Sequence, residues 1–197
     1  MTSEPEGTTP LDADEVEGLL QPHVSAHGEL NELEEANIQI AAEWALNTAV
    51  SRAKRADVLT EAFLYGLHQR MFGEVWEWAG QARRTNKNIG VDKAFIRTEV
   101  RNLVEDARTW RQTGVYGADE IAVRFHHGLV QIHPFVNGNG RHARLVADMI
   151  AVQSGRPRFT WGGSTLTTTS ALRAAYIAAL RSADQGDVGP LIEFGRS

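Results

Sequence analysis

The residues most able to do chemistry stand together, in the stretch His133-Pro-Phe-Val-Asn-Gly-Asn-Gly-Arg-His-Ala-Arg144. Pro134, Gly138 and Gly140 forbid a regular helix across its front half. The Gly138-Asn139-Gly140 turn lets backbone approach a ligand closely and leaves N–H groups free to face it. The apolar period resumes directly afterwards, so those N–H groups lie at the positive end of a helix, which attracts anions. Arg141 and Arg144 are three apart and share a helical face, and two guanidinium groups beside such a turn suit a polyphosphate. His133 precedes the loop, where an imidazole can take a proton from an attacking hydroxyl. Taken singly, each feature has a plainer explanation: a turn before a helix, a structural histidine, a solvated arginine face. The joint pattern is what carries information.

These groups need a scaffold, and the 197 residues are enough for one domain with a core. Hydrophobic residues make up 42% and charged residues 23%, which excludes collagen and wholesale disorder. The chain has no cysteine, so disulfides, thiolate metal sites and a catalytic thiol are excluded. A net charge of -5 supplies no long-range pull on nucleic acid, and none is expected as a direct partner. Residues 1–18 lack the apolar run of a secretory signal, and no segment reaches the roughly 20 apolar residues of a membrane span. A soluble cytoplasmic protein is the expectation.

Residues 1–29 read as an N-terminal tail or extension, and 30–197 as the domain. A helix begins at Leu30, with Leu30, Leu33, Ile40 and Trp44 on one stripe and Glu34 off it. The spacing predicts a second helix over 57–72, with Asp57 as N-cap, Gly73 as stop and an apolar face of Leu59, Phe63, Leu67 and Met71. Residues 78–96 break the pattern and read as a loop or short hairpin exposing Arg83, Arg84 and Lys87. Helices follow over 98–112, 118–131, from the motif to about 155, and over 168–183, with a short piece at 190–194. The class is all-α.

The stretch His133–Arg144 resembles the signature of the Fic/Doc family, His-x-Phe-x-Asp/Glu-Gly-Asn-Gly-Arg-x-x-Arg. The likeness covers roughly residues 30–195, with FHHGLVQIHPF, RLVADMI, GQARRTNKNIGV and RSADQGDVGPLIEF contributing, and is nearest to the bacterial subgroup named mobile mystery protein B. The resemblance implies a helical bundle with a β-hairpin flap over the active site. It implies transfer of AMP from ATP to a Ser, Thr or Tyr hydroxyl of a target protein. His133 would be the general base. Gly138, Asn139 and Gly140 would cradle the nucleotide phosphates; Arg141 would hold the β- and γ-phosphates. Arg144 would meet the γ-phosphate or an inhibitory glutamate. Phe135 would be a buried wedge. Thr85, Asn86, Lys87, Asn88 and Ile89 would form the flap that docks the target as an added strand.

At position 137 the family pattern has an acid that binds Mg²⁺, and this chain has Asn137. A neutral amide oxygen holds magnesium more weakly, leaving phosphates and water to complete the shell. Three outcomes stay open: an AMP transferase that still uses Mg²⁺ and ATP, a transferase with another nucleotide or phosphate donor, or a binding module of the same fold. Retained transfer chemistry is favoured because the other motif residues are present. A metal site built from His126, His127, His133 and His142 is disfavoured, with His142 read as a helix-surface residue and His126 or His127 as packed. Family inhibition uses a Ser/Thr-x-x-x-Glu-Gly/Asn helix. Thr2 to Gly7 fits those letters but holds Pro5, and Ser25 to Glu29 has the spacing with Leu30 in place of Gly/Asn. An internal inhibitory glutamate is therefore not favoured, Glu29 stands slightly ahead of Glu6, and a separate inhibitory partner protein is the other route.

Overall fold

The computed structural model describes residues 18–21, 27–50, 57–163 and 169–197. Seven helices follow in order among them: α1 (His27–Val50), α2 (Glu61–Phe72), α3 (Ile96–Thr113), α4 (Ala118–Ile132), α5 (Asn139–Gln153), α6 (Thr169–Asp184) and α7 (Gly189–Arg196). The ends of α3, α4, α6 and α7 lie within two residues of those predicted from the apolar period.

The bundle is built round α5. Ala143, Val146, Ala147 and Met149 are fully enclosed, so this helix is buried on nearly every side. Helix α4 packs along it, with Ala122, Val123, Phe125 and Leu129 buried. Helices α1 and α2 cover another side, α3 lies outside α4, and α6 pairs with α7. Asp148 is the buried polar anchor of α5. It accepts from Arg158, from Phe159 N–H and from Trp161 Nε1 at 3.1–3.2 Å, fastening the return loop. Burial pushes its carboxyl up from the ordinary range, and the Arg158 charge opposes this.

Three expectations change. Helix α2 starts at Glu61, because Thr60 Oγ1 accepts from Phe63 N–H at 3.1 Å and so caps the helix. Asp57 closes a turn one step earlier, accepting from Leu59 N–H at 3.1 Å. Gly73 ends α2 as expected. On α1 the large-residue stripe is split: Leu30 and Trp44 pack partly buried against the core, Leu33 and Ile40 are exposed (Ile40 69%), and the fully buried face is Ala41, Ala45, Ala49 and Glu34. Methyl side chains let α1 lie close against its neighbours, and that close approach outweighs burial of the isoleucine. Finally, the 78–96 segment forms bends and turns, and no strand occurs among the described residues; the pairing of Leu19 with Trp76 is an isolated antiparallel bridge. The segment is shaped by a buried arginine instead of ladder hydrogen bonds.

Candidate active site

His133 ends α4 in the left-handed region, φ 52° and ψ 60°, with its N–H donating to Leu129 O at 3.0 Å. A residue with a Cβ holds that conformation only when its surroundings enforce it. Here both feet of the 83–91 loop do so. Arg83 N–H donates to Pro134 O at 2.9 Å and Val91 N–H to Ile132 O at 3.3 Å, so the loop straddles His133. Gly90 lies so close that a Cβ there would come within 2.6 Å of His133 Cβ.

Arg83, expected to be exposed, is buried, since its charge has carbonyl partners inside the loop. Its Nε donates to His133 O at 2.7 Å and Nη1 to Thr85 O at 2.8 Å, and Nη2 donates to Val91 O. The guanidinium thus replaces a hairpin ladder. On the crown, Asn86 spends its amide on Asp92 Oδ2 and Lys93 N–H, each at 2.8 Å. Thr85, Asn88 and Ile89 are exposed, while Lys87 is half-buried.

Burial, with Arg83 and Lys87 adding positive charge, pushes the His133 imidazole down to about 4. At neutral pH it is therefore uncharged and able to accept a proton.

The loop after His133 is rigid by construction. Asn139, buried, accepts from Phe135 N–H through Oδ1 and donates to Phe135 O through Nδ2, both at 2.9 Å. Its side chain closes the loop, so it offers a ligand its backbone alone. Phe135 is buried and stacks on His68 at 3.7 Å between centroids, as a wedge should. His68 in turn joins two loops: Gly80 N–H donates to Nδ1 and Nε2 pairs with Asn137 O, each at 3.0 Å. That pairing fixes the tautomer with the proton on Nε2. Burial, reinforced by His142, holds its pKa well below the ordinary value.

Helix α5 opens at Gly138, φ 76°, without a side-chain cap or an acid in its first turn. A Cβ on Gly138 would meet the Phe72 ring at 2.4 Å, whereas one on Gly140 would find no atom nearer than Tyr176 Oη at 3.9 Å. Glycine is needed at 138 by the fold, and Gly140 leaves open space over the helix start. Asn137 Oδ1 accepts from Gly138 N–H at 2.6 Å. A neutral oxygen already engaged in this way does not fit a resident magnesium site, and no cluster of three acidic or histidine side chains occurs among the described residues.

Arg141 and Arg144 diverge in their contacts. Arg141 lies over the Phe72 ring, and its Nη1 pairs with Glu34 Oε2 at 2.7 Å. Glu34 Oε1 accepts from Trp76 Nε1 at 2.7 Å, so both carboxylate oxygens are held. Arg144 Nε donates to Gly140 O at 3.3 Å and its guanidinium faces Tyr176; it forms no ion pair among the described residues. The Glu29 side chain and all of Glu6 lie outside the described residues. Glu34, His68 and the inward Arg83 were not foreseen from the sequence. Glu34 is one of several acids along α1, and neither its type nor its position set it apart from them.

The four histidines of the disfavoured metal reading are dispersed. His142 is buried, contrary to expectation, with Nε2 2.9 Å from Leu64 O, because α5 has almost no free surface. His126 is buried with Nε2 3.0 Å from Tyr176 Oη, and His127 pairs with Asp184 at 2.7 Å.

Residues 58–151 match the model of the Fic/DOC family. The chain is 29% identical over 147 residues to protein adenylyltransferase fic-1 of Caenorhabditis elegans, covering 72% of this chain and 27% of the relative. It is 31% identical over 132 residues to the Caenorhabditis briggsae protein of the same name, covering 65% and 25%. The chain thus spans about a quarter of the length of these curated relatives. Among solved structures, BepC of Bartonella tribocorum with bound AMPPNP superposes with a TM-score of 0.67 at 19% identity, over 97% of this chain and 92% of that one. A fragment of C. elegans Fic-1 gives 0.65 at 24%, over 95% and 55%. Sequence match and shared fold agree over the matched stretch: residues 58–151 carry the Fic/DOC family domain.

Proposed function

We propose that this protein is a Fic-type protein adenylyltransferase, moving AMP from ATP to a hydroxyl of a target protein. The observation that carries the reading is an uncharged histidine held rigidly between a loop and an anion-attracting helix start. The names of the relatives support the same chemistry. In this reading the β- and γ-phosphates lie toward Arg141 and the N–H groups that open α5, with Arg144 beside them. The target backbone runs along residues 85–89, which brings its hydroxyl to His133. His133 takes the hydroxyl proton as the oxygen attacks the α-phosphorus, and the bond to the β-phosphate bridging oxygen breaks. Pyrophosphate leaves with its charge on Arg141, and the phosphodiester stays on the target. Magnesium enters as part of the Mg·ATP substrate, with phosphates and water as its main ligands.

The resemblance implied an inhibitory glutamate on Arg144; in place of the expected Glu29, Glu34 supplies the competing carboxylate, and its partner is Arg141. Its carboxylate occupies the guanidinium that the phosphates need, so ATP must displace it. The experiment is incubation with α-labelled ATP, Mg²⁺ and bacterial lysate. Label on a target or on the protein itself, lost in His133→Ala, supports transfer; equal labelling with and without His133 refutes it. The engagement of Asn137 Oδ1 by Gly138 favours a second reading, a nucleotide-binding module without turnover. Calorimetry showing tight ATP binding in a protein that labels nothing selects it.

A further inference from the structure

A cavity of about 540 Å³ lies outside the 83–91 loop, between α2, residues 80–84 and the start of α3. It shares a wall with the candidate active site, since Arg83 lines it and hydrogen-bonds to Pro134. Its rim is cationic: Arg84, Lys93 and Arg97 are exposed there. Lys93 and Arg97 form no ion pair among the described residues. The one carboxylate in the lining, Glu61, is paired with Arg101 at 3.0 Å. Tyr65 supplies an independent sign: its hydroxyl is buried in this wall without a hydrogen-bond partner. Buried hydroxyls seldom remain unpaired. Helix α3 also opens here, at Phe95, with no side-chain cap. Three cations and a helix start border one space, with an unsatisfied hydroxyl in the wall behind them, and that arrangement suits an anion.

The surroundings say which anion. Phe95, between the lining residues Ala94 and Ile96, is 59% exposed, and Ile89 on the 85–89 loop is 44% exposed. Exposed large apolar side chains beside a charged pocket fit a polypeptide partner better than a free ion. We propose that the cavity is a specificity subsite that takes an acidic side chain of the target segment docked on the 85–89 loop, with Phe95 and Ile89 contacting an apolar neighbour. This rests on the transferase reading for the identity of the partner, while the subsite itself is tested by binding alone.

The probe is a fluorescein-labelled peptide of alternating glutamate and leucine, followed by anisotropy on the full chain, with a glutamine-for-glutamate peptide as control. The expected result is binding of the acidic peptide at least ten-fold tighter than of the neutral one, weakening as salt rises. Arg97→Glu weakens it at least ten-fold. Arg111→Glu, the same charge change in the last turn of α3, leaves it within two-fold. Equal loss in both variants means diffuse attraction and overturns the proposal, as does unchanged binding in Arg97→Glu. Displacement of the peptide by millimolar inorganic phosphate, with no preference over the neutral peptide, marks a free-anion site and also overturns it. ATP calorimetry on Arg97→Glu is expected to match the unaltered protein. Failure of ATP to bind either protein while the acidic peptide still binds overturns the transferase reading and leaves the subsite standing.

Discussion

Replacing Glu34 by Gln isolates what the carboxylate does. The Gln carbonyl still accepts from Trp76 Nε1, so the buried indole N–H, 2.7 Å away in the native protein, keeps its partner. What is lost is the charge facing Arg141 at 2.7 Å. A hydrogen bond between charged groups is worth about 1.5–3 kcal/mol. The Arg141 side chain is 33% exposed, so water screens the pair and about 1–1.5 kcal/mol is the working figure. ATP must break this contact to use Arg141, so its removal tightens ATP binding by about five- to twelve-fold. Thermal stability should fall by the same ~1–1.5 kcal/mol, about 2–6 °C in Tm, and by no more, since no buried donor is orphaned. Calorimetry with ATP on Glu34→Gln, with Arg141→Ala as reference, measures this. An unchanged Kd in Glu34→Gln, beside a large loss in Arg141→Ala, refutes the idea that Glu34 competes with phosphate.

Gly138→Ala should destabilise by about 2–4 kcal/mol in urea unfolding, from a left-handed φ and a methyl driven into Phe72; a loss below about 0.5 kcal/mol contradicts the packing described. Gly140→Ala has room and helical backbone, so stability holds or rises by about 0.5–1 kcal/mol while ATP affinity falls, because the methyl occupies the phosphate approach. His68→Phe keeps an aromatic ring against Phe135 but strands Gly80 N–H and Asn137 O, at a cost of about 2–6 kcal/mol read from urea melts. Burial lowers His126 to about 3 and His133 and His142 to about 4. The unfolded chain therefore binds more protons between about pH 6.5 and 4. Stability is full above pH 6.5 and falls as pH drops through that window, by about 1.4 kcal/mol per unit for each such histidine. The acid limb of label transfer should sit well below pH 6.5, and a midpoint at 6.5 contradicts an enclosed His133.

The helices were legible because their apolar residues repeat at the right period, and the motif was legible because its residues are contiguous. What sequence reasoning lost was contact over long separations. Glu34 and Arg141 are 107 positions apart, and Arg83 and His133 fifty. No local pattern signals that Arg83 will turn inward to three carbonyls. From the sequence His142 reads as a helix-surface residue, yet α5 is enclosed by several helices at once. On α1, size misled: the alanines carry the contact, and the larger Ile40 faces outward.

That alanine face has a consequence for how α1 behaves. Methyl groups bury little area each, so much of the grip at its N-terminal half rests on Glu34, together with the partly buried Leu30 and Ile38. The C-terminal half is better anchored, with Trp44 stacked on Phe63 and beneath Arg70, so the N-terminal half is the part that loosens first. Amide protons of α1 should exchange with deuterium sooner than those of α4 and α5, and sooner still with ATP present.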